Sequence, residues 1–225
     1  MIEFQNVSKT FALGNTALDD VSFKIEDNEF IFLVGPSGAG KTTILKLLLH
    51  EYLPSHGKIL LDDMEIDAKN SIRNEQLRRK IGMVFQDFKI LADRNVFENI
   101  AISLKVLGLP ISQIKPQVMQ ALELVGLPDK QLLYPAQLSA GELQRVAIAR
   151  AIIGDRNIIL ADEPTGNLDP KTTWEIMRIF KKLEGKRTFL IATHNTDIVN
   201  SMKKRVLVMK NGKLAKDNKK GGYEL

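Results

Sequence analysis

Gly35-Pro36-Ser37-Gly38-Ala39-Gly40-Lys41-Thr42 decides the fold, and its neighbours on both sides say how. Upstream, Phe30-Ile31-Phe32-Leu33-Val34 is a continuous apolar run of the kind shown by a strand buried on both faces. Downstream, Ile44-Leu45-Lys46-Leu47-Leu48-Leu49 consists of good helix formers. Strand, glycine-rich loop and helix together make a P-loop, in which successive backbone N–H groups point into one concavity. Lys41 then reaches the outer phosphates of a nucleotide and the Thr42 hydroxyl is placed to ligate Mg²⁺. Gly35 through Thr43 are the expected phosphate-binding residues. The four fixed positions alone arise by chance in roughly one chain of this length in a hundred, and the strand and helix around them make chance rarer still.

Working outward, the 225 residues show no change of composition and no Pro/Ser-rich linker, so one domain over 1–225 with an inserted lobe is expected. Hydrophobic residues at 44% and charged residues at 26% fit a soluble globular chain. No apolar run approaches the roughly 20 residues of a membrane span, and Met1-Ile2-Glu3-Phe4 lacks a signal-peptide layout, which points to the cytoplasm. The absence of cysteine excludes disulfides and thiolate metal sites, and His50, His56 and His194 are spaced too widely for a metal cluster. The net charge of +5 is concentrated in Arg78-Arg79-Lys80, Lys203-Lys204-Arg205 and Lys219-Lys220. Such runs fit a solvated face or an anionic membrane surface. Nucleic acid is disfavoured because no aromatic residues interleave with them.

Alternation of Ile2, Phe4 and Val7, and of Val21, Phe23 and Ile25, reads as antiparallel strands ahead of the core. Lys58-Ile59-Leu60-Leu61 closing on Asp62-Asp63 extends that sheet. From about Asp87 to Gly154 the pattern turns helical. Val118, Ala121, Leu122 and Val125 share one face, with Gly126 as a stop and Pro128 beyond. Strand-like runs return at Ile158–Ala161, 189–192 and 206–209, the last before an Asn211-Gly212 turn. Helices alternating with buried strands predict an α/β fold with a parallel sheet.

Ile158–Ala161 ends abruptly in Asp162 and Glu163. Paired acids beside an apolar strand are costly unless a cation or a proton transfer uses them. Asp162 is the candidate Mg²⁺ holder and Glu163 the candidate for polarising an attacking water; two acids facing solvent in a plain loop are the alternative. Ser139 precedes a helix carrying Leu143, Val146 and Ile152, so its hydroxyl can cap a terminus that also attracts anions. The P-loop already holds this chain's own nucleotide, so the phosphate for that terminus comes from a second copy across a twofold axis. An ordinary capped helix is the alternative.

The order Gly35–Thr42, Gln86, Leu138-Ser139-Ala140-Gly141-Glu142, Asp162-Glu163, Asn167-Leu168-Asp169 and His194 resembles the nucleotide-binding domain of ABC ATPases, over essentially the whole chain. The resemblance implies a P-loop NTPase with a RecA-like parallel-sheet core, an N-terminal antiparallel β subdomain and an α-helical subdomain inserted at about 87–157. It implies ATP and Mg²⁺ as cofactors and a homodimer closing on two ATP. Gln86 becomes the sensor of γ-phosphate and Mg²⁺, His194 a γ-phosphate switch, and Asp169 an interface residue. Phe11 takes the place of an aromatic stacked on adenine. Ser139, Gly141 and Glu142 belong to the signature that touches the partner's ATP. Phe11 as core, Gln86 as a polar strand end and His194 as a loop histidine remain the plainer alternatives. The usual pattern has glycine where this chain has Ala140, which raises crowding or a forbidden positive φ, and so a changed ATPase rate.

Val84-Phe85-Gln86-Asp87-Phe88-Lys89-Ile90-Leu91, Asn95-Val96-Phe97-Glu98-Asn99-Ile100-Ala101, the run Ala161-Asp162-Glu163-Pro164-Thr165-Gly166-Asn167-Leu168-Asp169-Pro170 and the ending Ile198–Met202 through Gly222-Tyr223 resemble the FtsE family of cell-division ABC ATPases. The 161–170 run is shared with lipoprotein-release and MacB-type export ATPases. The FtsE resemblance implies a peripheral subunit on the cytoplasmic side of the membrane. Its partner is an FtsX-like transmembrane protein docking near Gln86 to Val96, through which ATP controls peptidoglycan hydrolases. An export ATPase and a division scaffold with dispensable hydrolysis are the alternatives.

Overall fold

The computed structural model describes residues 1–62, 64–66, 71–219 and 221–222, for 71–74 the backbone only; Asp63, Lys220 and Tyr223 fall outside them. In chain order the elements are β1 (Ile2–Thr10), β2 (Thr16–Ile25), β3 (Phe30–Val34), α1 (Lys41–Leu48), β4 (His56–Leu61), β5 (Met64–Glu65), α2 (Ser71–Arg79), β6 (Ile81–Val84), α3 (Val96–Lys105), α4 (Ile111–Leu124), α5 (Ala140–Ile152), β7 (Ile158–Asp162), α6 (Pro170–Lys182), β8 (Thr188–Ala192), α7 (Thr196–Met202), β9 (Arg205–Lys210) and β10 (Lys213–Asn218).

β3 is apolar at every position because both its faces are covered. Phe30, Phe32 and Val34 enter a core shared with α3, α4, α5 and α6, while Ile31 and Leu33 enter a second core shared with α1 and the N-terminal sheet. β7 and β8 divide the same way, with Ile159 and Ala161 against Ile158 and Leu160, and Phe189 and Ile191 against Leu190 and Ala192. A period of two thus assigns each side chain to one of two interiors. The central sheet runs β10-β9-β3-β8-β7-β6, with only β10 antiparallel, and the N-terminal antiparallel sheet runs β2-β1-β4-β5. Asn211 and Gly212 both have positive φ, 50° and 76°, as a tight hairpin between β9 and β10 requires.

Between β6 and β7 lie α3, α4 and α5. Gly126 (φ 73°) terminates α4 as expected. Helix does not begin at Asp87, however. Phe88 and Lys89 are both left-handed (φ 60° and 49°), and α3 starts only after Asn95, whose side chain forms a reciprocal capping box with Glu98. The basic runs are largely paired: Arg79 with Glu75, Lys80 with Asp62, Lys204 with Glu184, and Arg205 with both Glu29 and Asp217. That pairing favours the solvated-face reading over a membrane-binding patch.

Candidate functional site

The strand order brings the candidate residues together. β6, β7, β8 and β3 are successive neighbours and point the same way, so the chain segments leaving their C-terminal ends share one edge. Those segments carry Gln86, Asp162 with Glu163, His194, and the glycine-rich loop. They line a cleft of about 740 Å³, together with Phe11 and the residues from Pro36 to Thr43. Its size suits a nucleotide.

Gly35 leaves β3 with φ 150°, and a Cβ there would stand 2.3 Å from the Met209 carbonyl oxygen, so only glycine fits. Gly40, in the left-handed region, caps α1 without a side-chain bond and leaves the helix N–H groups directed at the loop. Lys41 is buried, and its Nζ donates to the Gly35 and Pro36 carbonyl oxygens at 2.7 and 3.1 Å. Thr42 Oγ1 donates to Asp162 Oδ2 at 2.9 Å. Burial is the largest influence on Asp162 and holds its carboxyl above the ordinary range; the Thr42 hydrogen bond opposes this, and neighbouring Glu163 reinforces it. A hydroxyl, a desolvated carboxylate and the Gln86 amide form an oxygen donor set that fits Mg²⁺.

A carboxyl whose folded pKa exceeds its unfolded value stabilises the fold only while protonated. The contribution is complete below about 3.9, the unfolded value, and is lost as pH rises through the higher folded value. Asp162→Asn, which keeps an acceptor for Thr42, therefore raises the melting temperature at pH 7 without nucleotide. The gain over the unmodified chain shrinks as the pH is lowered toward 4 in scanning calorimetry. The same variant loses Mg²⁺-dependent turnover.

Glu163 adopts φ 45°, a conformation costly for a non-glycine residue and concentrated at functional sites. Its N–H donates to the Ala192 carbonyl, and its Oε1 lies 2.8 Å from His194 Nδ1. The carboxylate is mostly buried whereas the imidazole is largely exposed, so His194 can face both Glu163 and a ligand. Phe11 is half-buried at the mouth, edge-on to Tyr52 at 5.2 Å, with Lys9 Nζ over both rings. This fits a base platform better than a core position. Nothing in the sequence pattern singled out Tyr52.

Ser139, Gly141 and Glu142 are not in this cleft. Ser139 caps α5 in a capping box with Glu142, and Glu142 also pairs with Lys130; the Ser139 N–H is the main cause of a Glu142 carboxyl held below its usual range. Asp169 caps α6 by accepting from the Thr172 N–H. Ala140 opens α5 as a helical residue and is not left-handed, so the forbidden-φ concern does not apply. Glycine matters instead at 141, where a Cβ would lie 2.5 Å from Thr172 Cγ2. Gly141→Ala is expected to cost about 1–3 kcal/mol through this clash between α5 and α6. Adding Thr172→Ser, which removes the opposing methyl, should restore most of that loss in urea unfolding.

Residues 18–166 match the ABC transporter family. The chain belongs to the ABC transporter ATPase family. Within this family it is FtsE-like: it is 45% identical over 224 residues to the cell division ATP-binding protein FtsE of Bacillus subtilis (strain 168), covering 99% of this chain and 98% of that protein. The dimeric structure of MJ0796, a bacterial ABC transporter cassette, superimposes with a TM-score of 0.89 at 33% identity, covering 99% of this chain and all of that one. The post-hydrolysis dimer of the same ATP-binding cassette, bound to ADP and Pi, gives 0.89 at 32%, with the same coverage. This FtsE-like ABC ATPase thus has an ATP-binding, ATP-hydrolysing fold along its whole described length.

Proposed function

We propose that this ATPase is the energising subunit of a cell-division membrane complex. Two copies close on two ATP and move an FtsX-like transmembrane partner that controls peptidoglycan hydrolases. The observation that carries the dimer is the separation of two half-sites: the cleft holds the phosphate loop, while the capped α5 terminus of Ser139 lies outside it. A twofold-related copy brings that terminus to the outer phosphates.

Within each cleft Phe11 stacks on adenine, the 35–43 loop cradles the phosphates, and Lys41 turns its ammonium from its own loop carbonyls to the β- and γ-phosphates. Thr42, Asp162 and Gln86 would hold Mg²⁺, whose chemistry is to neutralise charge on the phosphate oxygens. Glu163 orients the attacking water and receives its proton, and His194 fixes the Glu163 carboxylate while facing the γ-phosphate. Among the described residues no helix is long and apolar enough to cross a membrane, and the reading places the chain on the cytoplasmic face, held through its partner.

The docking surface in this reading spans Gln86 to Val96, where Leu91 is exposed and Phe88 and Ile90 are half-buried. The test is to purify tagged Glu163→Gln with ATP and Mg²⁺ from its native membranes and to identify companions by mass spectrometry. An FtsX-like protein supports the division role. A transport permease moves the function to export or import and leaves the ATPase intact. Leu91→Asp should abolish the companion while ATP binding persists; retention of the companion would relocate the docking surface.

A further inference from the structure

Helix α5 does more than present Ser139. Gln144, in its second turn, is fully buried, and its Nε2 donates to the Pro164 carbonyl, one residue beyond Glu163; among the described residues its Oε1 has no donor. Arg150, in its last turn, forks onto two consecutive carbonyls, Nη2 to Phe88 at 2.8 Å and Nη1 to Lys89 at 2.7 Å. Those two residues are the left-handed pair that follows Gln86. Buried Asn99 secures the far side of the same loop through the Leu91, Arg94 and Asn95 carbonyls. One rigid helix therefore grips the carbonyl next after the left-handed Glu163 and the left-handed pair two and three residues beyond Gln86. The Gln144 and Arg150 grips lie about 9 Å apart along the helix axis.

We propose that Gln144 and Arg150 are positioning residues through which α5 sets Glu163 and Gln86 of its own chain. Any displacement of the Ser139 terminus is thereby transmitted to both. The proposal rests on Glu163 being the water-activating group. A guanidinium fork suits the Arg150 contact because it meets two acceptors in one plane, which an ammonium on a flexible stem does less well. The Gln144 contact positions rather than stabilises: its second polar atom is left without a partner among the described residues, an arrangement a purely structural core would avoid.

The test uses the full chain with ATP and Mg²⁺. Gln144→Met keeps the volume and removes the unpaired acceptor but leaves the buried Pro164 carbonyl without this donor, so a modest fall in melting temperature is expected while the variant stays folded. The expected result is a kcat lowered about tenfold to a hundredfold with KM for ATP unchanged, the scale of a misplaced reacting group. Arg150→Lys reads the second grip independently and should lower kcat severalfold, again at constant KM. Combined with Glu163→Gln in single-turnover assays, Gln144→Met should add no further loss, since its effect passes through Glu163. Unchanged kcat in folded Gln144→Met and Arg150→Lys, or an additive loss in the combined variant, would overturn the proposal. Full activity of Glu163→Gln alone would remove the reading of Glu163, and the grip proposal with it. An additive combination with an inactive Glu163→Gln removes only the grip.

Discussion

Glu163→Gln lowers the rate of ATP hydrolysis about a thousandfold and leaves ATP affinity nearly unchanged. The substitution is isosteric, so the left-handed backbone at 163 and the contact with His194 Nδ1 both persist, the amide oxygen taking the place of Oε1. What disappears is a basic oxygen able to receive a proton from water, a role worth about 10²- to 10⁴-fold. In the proposed reading ATP is held by Lys41, the 35–43 loop and Phe11, which line the cleft and do not lose a partner in this variant. Single-turnover hydrolysis and a fluorescence titration with ATP and Mg²⁺ separate the two quantities. With chemistry blocked and affinity retained, ATP should also hold two copies together, giving a doubled mass in sedimentation. Turnover at the unmodified rate would show that another group activates the water.

Lys41→Ala fails in the opposite way, at binding. Its ammonium is the buried cation of the loop, on a stem packed inside the cleft. Charge-assisted bonds of this kind contribute about 1.5–3 kcal/mol each, so the dissociation constant for ATP should rise roughly tenfold to a hundredfold. The Gly35 and Pro36 carbonyls also lose their donor, which adds a modest loss of stability of about 1 kcal/mol. Isothermal titration measures the first and thermal unfolding the second. An unaltered dissociation constant would mean that the lysine remains turned onto its own loop when nucleotide is bound.

The two variants are expected to part binding from chemistry, and the strand ends that carry both residues are legible in the sequence. The apolar run at 30–34 and the acids closing 158–161 each mark a strand end, and local pattern suffices to read such features. The adjacency of β6, β7, β8 and β3 was not legible, because sheet order is a long-range outcome of how α/β units pack. For the same reason Tyr52, Asn99, Gln144 and Arg150 were missed. Each acts through a contact with a ring or a carbonyl whose place depends on the folded chain, and each residue taken alone looks ordinary. Helical periodicity also carried the expected lobe back to Asp87. The left-handed turn at Phe88 and Lys89 depends on Arg150, a partner 62 and 61 residues away. At Ala140 the helix geometry answers one half of the sequence-based concern, the positive φ, which a motif's usual letter suggested but the start of α5 does not require.

The alternation that sends Phe32 one way and Leu33 the other makes the central sheet a partition between two separately packed interiors. Cooperative opening can therefore begin in the compartment of α3, α4 and α5 while the compartment behind α1 stays closed. The glycine-rich loop leads into α1 and so belongs to the second compartment, and the helix carrying Ser139 belongs to the first. A chain so divided can loosen the lobe around Ser139 while the interior behind the glycine-rich loop stays closed.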